Sequence, residues 1–114
     1  MSKGDHLGEF EQVVLWAILA LQPRNRAYGM TVRQEIKRRT GRDTAIGAVY
    51  ATLNRLELKG FVSAYDEPGD APRGYRSRRI FKVTGAGQSA LASSHEMMRA
   101  MAQGIRLAVE LGNG

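Results

Sequence analysis

Arg73, Arg76, Arg78 and Arg79 fall within seven positions of one another. Four guanidinium groups that close repel each other unless an anion lies among them, so the spacing points to a polyanionic partner. Upstream, Asn54 and Arg55 add an amide and a further guanidinium, the groups that hydrogen-bond base edges and phosphates. Catalysis has no comparable constellation. No Ser/His/Asp set, paired carboxylates or phosphate-cradling glycine loop stands out, and the 13 glycines scatter through turns, helix ends and the C-terminus. The chain has no cysteine, which removes disulfides, thiolate zinc sites and cysteine nucleophiles and fits a reducing cytosol. With His6 and His95 as the two histidines, a metal site lacks ligands. These residue types describe a binding protein that is not an enzyme and uses no cofactor.

The elements that must position those groups lie between Thr44 and Val83. Ile46, Val49, Leu53 and Leu56 recur at three- and four-residue steps, so they share the inward face of a helix. Gly47, Ala48, Ala51, Asn54 and Arg55 are left facing outward. Short side chains let a helix approach a surface closely; taken alone, the segment also reads as an ordinary amphipathic helix. Gly60 stops the helix, Phe61–Tyr65 reads as a strand, Asp66–Gly74 as a turn, and Tyr75–Val83 as a second strand. A helix followed by a basic two-stranded hairpin is the arrangement of a winged helix-turn-helix, with the helix in a major groove and the hairpin along the backbone or minor groove. Charge follows the same division: residues 22–82 hold 14 Lys/Arg against 6 Asp/Glu, whereas the segments on either side are acidic or neutral. The basic residues do not lie opposite an apolar face, which argues against a membrane surface, and no apolar run approaches the ~20 residues of a membrane span.

The rest of the chain reads as support. Residues 1–8 are expected to form a disordered arm without a secretory signal core. A helix from about Glu9 carries Phe10, Val13, Val14, Ala17, Ile18 and Leu21 at core spacing. Leu15, Trp16 and Leu19 form a second apolar stripe, which suggests a neighbour from another subunit. Gln22–Ala27 is a loop. A helix from Tyr28 to Thr40 follows, or one starting a turn later, since Thr31 and Gln34 have capping-box spacing. Its basic end, Arg33, Lys37, Arg38 and Arg39, suits the helix dipole as well as it suits a partner. Asp43 or Thr44 is positioned to cap the next helix, whose first amides would seat a phosphate. Glu57 is expected to pair with a nearby Arg or Lys.

After Thr84, a long helix is expected from Gly85 to Leu111. Leu91, His95, Met98, Ala102, Ile105 and Val109 step by four and three like a coiled-coil seam, and Met97, Met101, Ala108 and Leu111 add a second stripe. Such a helix overhangs so small a domain, so a two-fold homodimer is expected, each long helix lying on the partner's first helix near Trp16 and Leu19. His95 has three open roles: an interface side chain, a pH or ligand sensor, or a metal ligand. The fold expected is mainly α with a small β-hairpin. Residues 1–84 make a winged helix-turn-helix domain, and 85–114 a dimerisation helix.

The run GAVYATLNRLELKG from Gly47 to Gly60 resembles the recognition-helix signature of PadR-like transcriptional regulators. Tyr28 and Gly29 match the family's Tyr-Gly pair at the start of its second helix. Arg78 to Val83, with Thr84 and Gly87, resembles the second wing strand and the Thr-x-x-Gly opening of the last helix. The chain departs from the pattern at Thr44 and Ala45, where serine is common, and at Ile80 and Phe81, where two tyrosines often sit. The resemblance covers about Phe10 to Leu111. It implies a cytoplasmic, homodimeric repressor of double-stranded DNA with an inverted-repeat operator, and a Tyr50 that touches the DNA backbone; from its spacing alone, Tyr50 is equally a half-buried packing ring. DNA contacts are then expected from Thr44, Gly47, Ala48, Tyr50, Ala51, Asn54, Arg55, Arg73, Arg76, Arg78 and Arg79. It also implies a flat hydrophobic effector, for which Trp16, Met97, Met98 and Met101 would supply a pocket at the interface, although the family's stacking aromatic residues are missing from the last helix. A winged-helix adaptor that binds proteins rather than DNA is the alternative, and it has no need of four wing arginines.

Overall fold

The computed structural model describes residues 6–68 and 78–109. Three helices lead into a hairpin and a fourth helix: α1 (Glu9–Leu21), a 3₁₀ turn (Gln22–Arg24), α2 (Gly29–Thr40), α3 (Ile46–Leu58), β1 (Val62–Glu67), β2 (Arg78–Val83) and α4 (Gly85–Ala102). The strands pair antiparallel, Val62 opposite Val83 and Asp66 opposite Arg79. β1 starts one residue later than expected and runs two residues further, through Asp66 and Glu67, into what reads as a turn, while β2 ends at Val83 as expected. The expected start of β2 at Tyr75, most of the turn, and Arg73 and Arg76 lie outside the described residues.

The core is one apolar cluster with α1 at its centre. Val14, Leu15 and Ile18 of α1 meet Val32 and Ile36 of α2, Val49, Leu53 and Leu56 of α3, Phe81 of β2 and Leu91 of α4. Leu15 therefore belongs to the core of its own chain, fully buried, and not to a surface stripe between subunits. Leu91 is likewise buried within the chain rather than placed on an open seam. Both corrections have one cause. In a chain this small, α1 is covered by α2, α3, the wing and α4 together, so an apolar second side finds its neighbour internally. Of the three residues expected to face a partner from α1, Trp16 alone is exposed; Leu19 is partly buried against the core.

Local chemistry sets the helix ends. Gly8 begins α1, its N–H donating to Glu11 Oε1 at 2.9 Å, and Leu7 is buried. Residues 6–8 are thus part of the fold instead of a loose arm, and His6 offers its carbonyl to Lys59 Nζ. Tyr28 precedes α2, with its N–H on the Thr31 hydroxyl at 3.0 Å, while that hydroxyl donates to the Arg26 carbonyl. The start implied by the Tyr-Gly resemblance is the correct one. Neither Asp43 nor Thr44 caps α3; Ala45 stands at that position without a side-chain bond. Asp43 pairs instead with Lys37 at 3.2 Å. At the far end the Phe61 N–H bonds to the Leu56 carbonyl and the Gly60 N–H to that of Glu57, with Gly60 at φ +80°. This double closure needs a left-handed residue, hence glycine.

Thr84 joins three elements. Its hydroxyl donates to the Gly60 carbonyl at 2.7 Å and accepts the Gly87 N–H at 3.0 Å, fixing α4 against the start of the hairpin. The fourth helix then stops at Ala102, not Leu111, and Gly104 adopts φ +78°. Ile105 and Val109 keep the helical spacing in sequence but lie beyond the helix. A left-handed glycine overrode the apolar periodicity. Leu111 is outside the described residues. No helix among those described is long and apolar enough to cross a membrane.

Candidate nucleic-acid interface

Gly47, Ala48, Ala51, Asn54 and Arg55 all lie on the exposed side of α3, in one continuous strip. Ile46 seats the helix from the other side, packed against the core with Val49, Leu53 and Leu56. A Cβ added at Gly47 would meet nothing within 4 Å, so the first turn presents bare backbone. Arg33 steadies the turn before it by donating from Nε to the Thr44 carbonyl at 2.7 Å. The Thr44 hydroxyl oxygen is buried without a hydrogen-bond partner, and does not face outward as a contact residue would.

Tyr50 flanks this strip. Its ring lies so close to Gly29 that a Cβ there would come within 2.4 Å of Cε1. The Tyr-Gly pair thus has a physical reason: the start of α2 must be bare for the α3 ring to rest on it. Tyr28, Gly29, Met30, Tyr50, Arg78 and Arg79 together line an open basin of about 260 Å³. The Arg78 guanidinium stacks over the Tyr28 ring, 4.7 Å from its centroid. Arg79 reaches the other way, with Nη2 2.7 Å from Glu57 Oε2 and Nη1 3.5 Å from Asp66 Oδ1. Hydrogen bonding to Glu57, more than its charge, holds the Arg79 guanidinium above its already high pKa. The basin therefore brings two helices and the wing to one cationic concavity fit for an oxygen-rich anion.

The other cations are largely engaged. Arg55 sits on the outer strip, yet its Nε lies 3.3 Å from Glu11 Oε2, and Lys59 Nζ lies 2.8 Å from the same oxygen. Arg38 and Arg39 both bond Glu35, whose carboxyl is held below its usual range by Arg38 first and Arg39 next. Arg42 bonds Glu9 and lies over the Phe10 ring at 5.1 Å. At the basic end of α2, Arg38 and Arg39 are thus paired with Glu35 of the same helix and Lys37 with Asp43 in the loop that follows.

The residues proposed for an interface and a pocket divide. Trp16, Met97, Met98, Met101, Ala102, Ile105 and Val109 are exposed. His95 meets Trp16 of its own chain edge-on, centroids 5.8 Å apart. Two adjoining cavities beside Trp16, of about 500 and 120 Å³, are lined by α1 and α2 residues including Val13, Leu19, Ile36 and Arg39. The three methionines line neither. No group of three or more His, Cys, Asp or Glu among the described residues is placed to hold a metal. Tyr28, Gly29 and Met30 were not foreseen as site residues. The signal available was the Tyr-Gly pair itself, read as a signature but not as a seat for a ring.

Comparison with known proteins decides the family. Residues 18–93 match the model of the "Transcriptional regulator PadR-like family", a span that contains α2, α3, both strands and the start of α4. The chain belongs to this PadR-like family. Among curated proteins, this PadR-like chain is 30% identical over 81 residues to the transcriptional regulator Rv3488 of Mycobacterium tuberculosis, covering 71% of each. Its fold is similar to that of a PadR family transcriptional regulator from Eggerthella lenta, with a TM-score of 0.61 at 19% identity over 82% of this chain and 80% of that one. A transcriptional regulator from Clostridium thermocellum gives a TM-score of 0.66 at 18% identity over 88% and 92%. F93 from STIV, described as a winged-helix DNA-binding protein, gives 0.60 at 15% over 87% and 98%. The chain is therefore a transcriptional regulator of winged-helix fold and not an enzyme.

Proposed function

We propose that this PadR-like chain works as a homodimeric repressor in the cytoplasm, binding an inverted-repeat operator in double-stranded DNA. The observation that carries the reading is the short-sided outer strip of α3 lying beside the basin ringed by Tyr50, Arg78 and Arg79. In this mechanism α3 enters the major groove by its bare first turns, and Gly47, Ala48 and Ala51 allow the backbone to come close. Asn54 hydrogen-bonds a base edge, while Tyr50 and the wing arginines take the flanking phosphates. Arg73 and Arg76, which precede β2 in the sequence, carry charge of the same sign.

The exposed Trp16, Met97, Met98 and Met101 support self-association through α1 and α4, and this patch would also receive a small hydrophobic effector. Two copies would place their α3 helices on half-sites separated by about one or two helical turns, in multiples of ~34 Å. Selection of bound duplexes from a random pool, followed by salt titration of the recovered sequence, tests the proposal. A symmetric consensus with a steep salt dependence is expected. Recovery of unrelated sequences, with affinity insensitive to salt, would overturn it in favour of a protein-binding adaptor.

A further inference from the structure

We propose that Glu57 is a positioning residue that keeps Arg79 in reserve, so that docking of the wing on DNA exchanges a carboxylate for a phosphate. The inference rests on the DNA-binding reading above and adds to it a built-in restraint on affinity.

Arg79 lines the basin with Tyr50 and Arg78, yet its guanidinium is already occupied at both ends. Nη2 bonds Glu57 on the last turn of α3 at 2.7 Å, and Nη1 faces Asp66, its cross-strand neighbour, at 3.5 Å. The Glu57 side chain is about two-thirds shielded, at 34% exposure, while that of Arg79 is 48% exposed. The acid is therefore the more shielded partner and the arginine the one more open to a ligand. A carboxylate and a phosphate ask the same planar fork for the same donors. Arg79 cannot give both Nη2 hydrogens to a phosphate without giving up its bond to Glu57. Every complex that uses this donor pair of Arg79 carries the penalty by the same factor, whatever the base sequence.

The test uses the full-length protein and a short duplex of random sequence, with binding followed by fluorescence anisotropy over a range of salt. Glu57→Gln keeps the shape and a hydrogen bond to Arg79 but removes the charge. Exposed ion pairs of this kind are worth a factor of roughly two to five, so E57Q is expected to tighten binding by about that factor. Arg79→Ala should weaken binding, and the double variant should bind as R79A does. An equal gain from E57Q in the R79A background would show general charge repulsion and overturn the exchange. So would unchanged or weaker binding by E57Q at an unaltered thermal midpoint. If E57Q lowers that midpoint, Asp66→Asn on the hairpin decides: a smaller gain, again absent without Arg79, supports the exchange, and no gain overturns it. A parent protein that binds no duplex even at low salt would overturn the DNA reading together with this one, whereas binding without the E57Q effect overturns the exchange alone.

Discussion

At the scale of single residues, Gly29 and Tyr50 show how a close contact is encoded by what is missing. A Cβ on Gly29 would fall 2.5 Å from Cζ and 2.7 Å from Oη of Tyr50, but those atoms belong to the far end of a movable side chain. In Gly29→Ala the ring should therefore swing away while the helix gains a better former. Thermal unfolding is expected to register a change within about 1 kcal/mol, and duplex titration a loss of affinity on all sequences as Tyr50 leaves the basin. Arg78→Ala with Arg79→Ala should also weaken binding on every sequence, and lower the slope of log affinity against log salt by about 2. Asn54→Ala should instead relax base preference, by about 1–3 kcal/mol at one position of the site, with competition by point-mutated duplexes as the measure. The outward set of α3 was legible because exposure follows helical period. The pairing of Tyr50 with Gly29, of Arg79 with Glu57 in particular, and of Arg55 with Glu11 was not, because periodicity says which face a residue takes and nothing about which distant segment meets it.

At the scale of elements, packing joints decide the boundaries. A Cβ on Gly87 would lie 2.1 Å from the Phe61 carbonyl oxygen, which is backbone and cannot step aside. Gly87→Ala should cost about 2–3 kcal/mol or more by overpacking, read as a lowered midpoint in urea unfolding. Glu11 joins α1 to the end of α3. Burial pushes its carboxyl up in pKa, but hydrogen bonds from Lys59 and the Gly8 N–H, the Lys59 charge and Arg55 together hold it below 4.5. Its contribution to stability is therefore whole above pH 4.5 and disappears as pH falls through the lower folded-state value. Glu11→Gln should destabilise by about 1–3 kcal/mol near neutrality and flatten the acid side of the stability profile, measured by unfolding across pH. The stop at Gly60 and the start of α4 after Thr84 could be read from local chemistry, whereas the caps of α2 and α3 could not. The end of α4 could not, because Ile105 and Val109 continue the apolar rhythm past a glycine whose left-handed state the sequence does not display.

At the scale of the whole molecule, the tail of α4 and the outer side of α1 leave Trp16, Met97, Met98 and Met101 uncovered, each at least 49% exposed. Under the homodimer proposal, Met98→Glu with Met101→Glu should give a monomer in sedimentation and weaken operator binding, with the helical content of each subunit kept. Leu15 and Leu91 were assigned to that surface because sequence gives an apolar stripe no address. In a domain with one small core, the first claim on such a stripe comes from its own chain. The wing, for its part, is fastened on the side away from β1, where the Phe81 N–H meets the Ala27 carbonyl at 2.8 Å and the Val83 N–H meets Gln22 Oε1 at 2.9 Å. Donors that would otherwise line an open sheet edge are thereby used up at home. At Phe81 and Val83 the edge of β2 is closed to strand addition from another molecule, and any pull on the hairpin is passed to the segment after α1. Slow amide exchange at Phe81 and Val83, with Val83 alone quickened by Gln22→Ala, would trace that fastening.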